Sequence, residues 1–139
     1  MTQEGIVQRF ELISQLESLT EIENYVDDLC DQFAICEDDY GNILIAITEA
    51  VNNAITHGNH LDSSKKVCLN IVGNPDTIEF VVEDEGEGFD YTKVPDPTLP
   101  ENLEKLSGRG IFLMRTLADE ISFENNGRKI KLKFSISVN

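Results

Sequence analysis

The chain has 139 residues, of which 40% are hydrophobic and 27% charged, and its formal net charge is −15. That is the composition of an ordinary globular domain with enough chain for one sizeable core, while a surface this acidic repels phosphate backbones and argues against DNA or RNA as a partner. No apolar run approaches the roughly 18 residues that a membrane span requires, and the opening MTQEGIVQRF lacks the basic flank and apolar block of a secretory signal, so a cytoplasmic protein without membrane attachment is expected.

Arg9 to Ile13 reads as a strand. Ser18-Leu19-Thr20-Glu21 has capping-box spacing, and Ile22, Val26, Leu29 and Phe33 recur at helical intervals, which predicts a helix from Leu19 to Phe33. Cys30, Cys36 and Cys68 form no CxxC pair and are odd in number; this argues against a disulfide framework and a thiolate zinc site, and leaves them as small core or edge residues. The stretch Tyr40 to Asn59, YGNILIAITEAVNNAITHGN, organises the rest. At about 100° per residue, Ile43, Leu44, Ile47, Ala50, Val51, Ala54 and Ile55 fall on one apolar arc, and Glu49, Asn53 and His57 follow each other at i, i+4 and i+8 roughly opposite it. Gly58 is the expected left-handed terminator of this helix.

Val67, Leu69 and Ile71 alternate, Gly73-Asn74-Pro75-Asp76 signals a turn, and Ile78, Phe80 and Val82 alternate again, which predicts a hairpin. It runs into Glu83-Asp84-Glu85-Gly86-Glu87-Gly88-Phe89-Asp90. An Asp leaving a strand can aim its carboxylate into a cleft, and Gly86 and Gly88 let the backbone approach a flat ligand. Asp90 to Ser107 contains Pro95, Pro97 and Pro100 with no clear apolar period, and reads as a long loop. Ser107-Gly108-Arg109-Gly110 then opens a helix carrying Ile111, Leu113, Met114, Leu117 and Ala118, and a Gly-x-Gly at a helix start offers free N–H groups to an anion. Strands from Glu120 to Glu124 and from Lys129 to Val138 close the chain around a turn at Asn125-Asn126-Gly127. Arg128, Lys129, Lys131 and Lys133 alternate with the apolar residues of the last strand, so they form its solvent face rather than a nucleic-acid patch.

Taken together, Glu49-x-x-x-Asn53-Ala54-x-x-His57-Gly58, Asp84-x-Gly86-x-Gly88-Phe89 and Gly108-x-Gly110, in that order and on a helix, a strand end and a helix start, resemble the GHKL ATPase superfamily of gyrases, histidine kinases and mismatch-repair ATPases. The form of the first motif looks most like the serine-kinase anti-sigma factors. The resemblance spans essentially the whole chain, residues 1–139, as one ATPase domain with a lid at about 90–110. It implies an α+β, two-layer α/β sandwich of the Bergerat type, with three helices on one face of a mixed, mostly antiparallel five-stranded sheet.

The same resemblance implies ATP and Mg²⁺, with ATP contacts at Asn53, Asp84, Gly86, Gly88, Gly108, Arg109 and Gly110. Asp84 would accept from the adenine amino group, where guanine would meet it acceptor to acceptor. Asn53 would give a hard amide oxygen to Mg²⁺, and Glu49 would be the catalytic base. Arg109 is a candidate γ-phosphate contact, and His57 is assigned to structure. The family commonly carries Thr after the glycine of the last turn, whereas Arg128 follows Gly127 here, which leaves that turn's adenine contact open. A sensor histidine kinase is disfavoured, because only His57 and His60 are present and no helical hairpin bearing a phosphoacceptor histidine precedes the domain.

Three readings follow. The first is a serine protein kinase that phosphorylates a small anti-anti-sigma-like antagonist protein and sequesters a sigma factor, with a homodimer carried alongside. The second is a non-catalytic ATP-dependent protein-binding module, and the third a lone ATPase domain of a multi-chain signalling system. Glu49 favours the first over the second, since a simple binder can dispense with a base.

Overall fold

A computed structural model describes residues 6–33, 35–73, 76–86 and 106–136, with 6, 7, 106–110 and 126 described by their backbone alone. Strand β1 is Ile6–Ile13, α1 Leu19–Phe33, α2 Glu37–Asn53, β2 Lys66–Gly73, β3 Thr77–Glu83, α3 Leu106–Leu117, β4 Glu120–Glu124 and β5 Lys129–Ser135. The strands form one sheet in the order β1-β2-β3-β5-β4. The resemblance implied a mixed, mostly antiparallel sheet, and each of the described pairings is antiparallel.

Period-two alternation accounts for the sheet's two faces. Leu12, Val67, Leu69, Ile71, Ile78, Phe80, Val82, Ile130, Leu132 and Phe134 are buried on the inner face. Ile22, Val26 and Leu29 of α1, Ile43, Ile47, Ala50 and Val51 of α2, and Ile111 and Met114 of α3 close over them. Phe10 stacks on Tyr25 with ring centroids 3.9 Å apart, which seats α1 over the β1 edge. On the outer face, Lys131 and Lys133 reach Glu124 and Glu120 of β4 at 2.9 and 3.5 Å, so the basic cluster is a solvated strand face. The cysteines are free. Burial and the carboxylates of Asp27 and Asp31 push the Cys30 thiol up to about 11, which keeps it protonated.

The helix ends depart from expectation for local reasons. α1 has the expected bounds, but Ser18 gives its hydroxyl to the Ile13 carbonyl at 2.8 Å instead of forming a capping box with Glu21. α2 starts at Glu37 rather than Tyr40, with Glu37, Asp38 and Asp39 in its first turn, where carboxylates complement the positive end of the helix dipole. The helical path continues past Asn53 as one π turn, Ala54–Gly58, closed by the Asn59 N–H on the Ala54 carbonyl at 2.8 Å. It ends at Gly58, as read from the sequence, yet Gly58 is not left-handed. Positive φ falls instead on His60 at 53° and Leu61 at 59°. β1 extends three residues before Arg9, to Ile6, and β5 stops at Ser135.

Phe80 lies at the centre of this core, fully buried and edge-on to Phe134 at 5.9 Å. Phe80→Ala is expected to lose about 3–5 kcal/mol of unfolding free energy in urea titration. A loss below about 1 kcal/mol would contradict the packing described.

Candidate functional site

Of the residues singled out in the sequence, Asp84, Gly86 and Gly58 meet where the end of β3 reaches the end of the central helical path, and Glu49 and Asn53 lie earlier on that path. Asp84 is the first residue beyond β3, and its N–H donates to the Arg128 carbonyl at 3.0 Å, which ties the strand exit to the start of β5. Its carboxylate accepts the Gly86 N–H at 2.8 Å, an Asx turn that orients the side chain. Burial raises the Asp84 pKa above its ordinary value, against the opposing pull of the Gly86 N–H and the Arg128 charge.

Two glycines make this placement possible. A Cβ at Gly58 would run into the Asp84 carboxyl, and a Cβ at Gly86 would run into the Gly58 carbonyl. Helix end, carboxylate and turn are therefore in direct contact through positions without side chains. Gly58 is needed for close approach, not for a left-handed turn.

Asn59 follows immediately and is fully buried. Its side chain donates to Ser14 Oγ at 2.8 Å and to the Lys66 carbonyl at 3.1 Å, and it accepts the Glu85 N–H at 2.8 Å. The sequence reading passed over this residue, because nothing in a helical period marks a position just past the helix end. Its adjacency to Gly58, itself next to the exposed His57, was the available signal.

On α2, Asn53 is not on a solvated face opposite the core, as the i, i+4, i+8 line implied. It is only 8% exposed, among the few buried polar side chains. No other described residue hydrogen-bonds its amide, although no described side-chain polar atom is both fully sealed from solvent and unsatisfied. A largely buried amide without a partner among the described residues suits a ligand. Glu49, one turn earlier, is half-buried and has no ion-pair or hydrogen-bond partner among the described residues. His57 is exposed, carried out of the Glu49–Asn53 line by the π turn.

Gly108, Arg109 and Gly110 lie within the first turns of α3, which starts at Leu106 and packs against α2. The helix opening read at Ser107-Gly108-Arg109-Gly110 is found there, beginning one residue before Ser107. Gly88 and residues 90–105 of the expected lid lie outside the described residues. Arg128, where the resemblance commonly has Thr, places its backbone carbonyl on the Asp84 N–H while its Nε donates to the Asn125 carbonyl at 3.1 Å. A hollow of 540 Å³ is lined by Asp84, Glu85 and Arg128 together with residues of the sheet such as Arg9, Glu11 and Cys68. It includes neither Glu49 nor Asn53. Among the described residues no cluster of three or more His, Cys, Asp or Glu could hold a metal ion. No helix among them is long and apolar enough to cross a membrane.

The raised pKa of Asp84 fixes a sign for stability. Between its ordinary 3.8 and the raised value, the folded chain holds a proton that the unfolded chain has lost. The stability this gives is complete below 3.8 and is lost as pH rises through the raised value. Asp84→Asn without ligand should therefore melt no lower than wild type at pH ~7, with any advantage shrinking as pH falls toward ~4. A mutant that melts lower at neutral pH and gains on wild type on acidification would contradict the assignment.

Comparison with known proteins gives the family and the fold. Residues 12–134 match the histidine kinase-like ATPase domain. Serine-protein kinase RsbW of Bacillus subtilis is 33% identical over 95 residues, 64% of this chain and 59% of that protein. The anti-sigma F factor of Clostridium perfringens is 38% identical over 98 residues, 66% of this chain and 69% of that protein. The chain thus spans about three fifths of the RsbW relative and slightly more of the anti-sigma F factor. A crystal structure of the RsbU and RsbW domains of a Mycobacterium tuberculosis protein shares the fold, with TM-score 0.69 at 15% identity, covering 96% of this chain and 33% of that one. With a buried-edge asparagine on the central helix, an aspartate at the strand exit and a family match over nearly its whole length, the chain belongs to the histidine kinase-like ATPase domain family.

Proposed function

We propose that this chain is an ATP-dependent serine protein kinase acting as an anti-sigma factor, one that phosphorylates a small antagonist protein and sequesters a sigma factor in the cytoplasm. The observation that carries the reading is the Asp84 carboxylate, oriented by the Gly86 N–H and pressed against Gly58, at the end of the same helical path that bears Glu49 and Asn53. The names of the relatives, serine-protein kinase and anti-sigma F factor, support the reaction class.

In this reading Asp84 accepts a hydrogen bond from the adenine amino group, and Gly86 and Gly88 let the backbone lie close to the base. Asn53 would hold Mg²⁺ through its amide oxygen, an acceptor without a partner among the described residues and of a type suited to that ion. Mg²⁺, when bound, neutralises charge on the β- and γ-phosphates. Gly108 and Gly110 bring backbone to the phosphates and Arg109 contacts the γ-phosphate. Glu49 removes the proton from a serine hydroxyl as its oxygen bonds to the γ-phosphorus and the bridge to the β-phosphate breaks, releasing ADP. The Glu49 carboxylate is half-buried and has no partner among the described residues.

Charge distribution supports a basic partner on the helical side. No Lys or Arg occurs between Arg9 and Lys65, a stretch that includes all of α1 and α2. Asp27, Asp31 and Glu37 rim a groove of 370 Å³ between these helices, floored by Cys30 and Ile35. Such a surface would accelerate and orient the docking of a basic sigma-factor face in a salt-dependent way. A homodimer is compatible with this arrangement and is part of the proposal.

Glu49→Gln separates binding from chemistry. It should keep Mg-ATP affinity within about twofold and lose roughly 100-fold or more in phosphoryl transfer, measured with γ-labelled ATP and a serine-bearing antagonist domain. Equal transfer by both proteins would remove Glu49 from the mechanism. Binding of ATP with no transfer by either would favour the non-catalytic module.

A further inference from the structure

Asn59 is the most completely committed polar side chain of the described molecule, and it lies beside the site without belonging to it. Both of its amide hydrogens are used, on Ser14 Oγ and the Lys66 carbonyl, and its oxygen receives the Glu85 N–H. Ser14 is itself fully buried and donates its hydroxyl to the Lys65 carbonyl at 2.8 Å, so towards Asn59 it can only accept. The amide therefore has one orientation. It joins the end of β1, the start of β2 and the turn that follows Asp84.

The backbone on either side is bent to serve this placement. The Asn59 N–H closes the π turn on the Ala54 carbonyl, and a π turn at a helix end is a local irregularity associated with functional sites. Directly after it, His60 and Leu61 both adopt left-handed backbone, which two successive residues with side chains hold only where their surroundings over-determine it. Gly58, immediately before, has its Cα against the Asp84 carboxyl. One amide thus fixes both the helix end against which Asp84 rests and the Glu85 N–H next to Asp84.

We infer that Asn59, buttressed by Ser14, is a positioning residue for base selectivity: it sets where the Asp84 carboxylate points and so how strongly the site prefers a base with a 6-amino group to one with a 6-carbonyl. This rests on the nucleotide reading above. Asn59 does not touch the base. It acts through the Glu85 N–H and through Gly58, and its loss would let the turn and the helix end drift apart, weakening a directional bond more than non-directional contacts with ribose and phosphates.

The test compares ATP with inosine triphosphate, which differs at the 6-position by a carbonyl in place of the amine, using calorimetry in Mg²⁺ on wild type, Asn59→Ala, Ser14→Ala and Asp84→Asn, each checked for folding by its thermal melt. Wild type should prefer ATP, and Asn59→Ala should weaken ATP about tenfold while inosine triphosphate changes by less than about twofold, a collapse of preference like that of Asp84→Asn. Ser14→Ala, which removes only one of the amide's partners, should move the preference the same way by about threefold and serves if Asn59→Ala does not fold. Equal weakening of both nucleotides, or an unchanged preference in both variants, would overturn the inference while Asp84→Asn still loses ATP affinity. If Asp84→Asn leaves ATP affinity intact, the adenine assignment itself falls and takes this inference with it.

Discussion

The site depends on a contact that exists only where side chains are missing. A carboxylate can rest against the end of the central helix because Gly58 and Gly86 carry no Cβ, and adding one at either position would push helix end and strand exit apart. Around that contact the other constraints follow in order. The Gly86 N–H orients the carboxylate, the Arg128 carbonyl anchors its backbone, and Asn59 ties the adjoining turn to the starts and ends of two strands. Burial there raises the pKa of Asp84. The fold accepts an unfavourable charge at this position, as is common where a group is reserved for a ligand.

The two layers divide the work. The sheet supplies a rigid floor whose inner residues are almost wholly buried, and whose outer lysines are matched by glutamates of β4. The first two helices carry Glu49 and Asn53 and a large share of the negative charge, since α1 and α2 contain nine Asp or Glu and no Lys or Arg. An acidic helical layer destabilises itself by repulsion while favouring a basic partner. Near its groove the Tyr40 hydroxyl is pushed up to about 12, first by its hydrogen bond to Asp27 and then by burial.

Much of this was legible before any coordinates. Period-two runs gave the β2–β3 hairpin, and the spacing of Ile22, Val26, Leu29 and Phe33 gave α1 with its bounds. Asp84, Gly86 and the Glu49–Asn53 pair were marked by motif and by the elements they would occupy. Periodicity has less to say where a helix changes its own period. The π turn moves His57 off the line of Glu49 and Asn53 and brings Asn59 into the core, and neither can be read from a regular 3.6-residue repeat. Gly58 was credited with the commonest job of a terminal glycine, when its reason is a long-range contact with Asp84. The early start of α2 was hidden because a polar first turn carries no apolar signal.

The central claim is that Asp84 is the adenine acceptor and Asn53 the protein ligand to Mg²⁺ in one helix-side cleft. A crystal structure with Mg²⁺ and a non-hydrolysable ATP analogue tests it most directly. The account predicts an Asp84 carboxylate oxygen at about 2.7–3.2 Å from the adenine 6-amino nitrogen, and the Asn53 amide oxygen at about 2.0–2.1 Å from the metal. A nucleotide seated against Arg9, Glu11 and Cys68 with no contact to Asn53, or an adenine whose amino group bonds elsewhere while Asp84 keeps only Gly86, would contradict it.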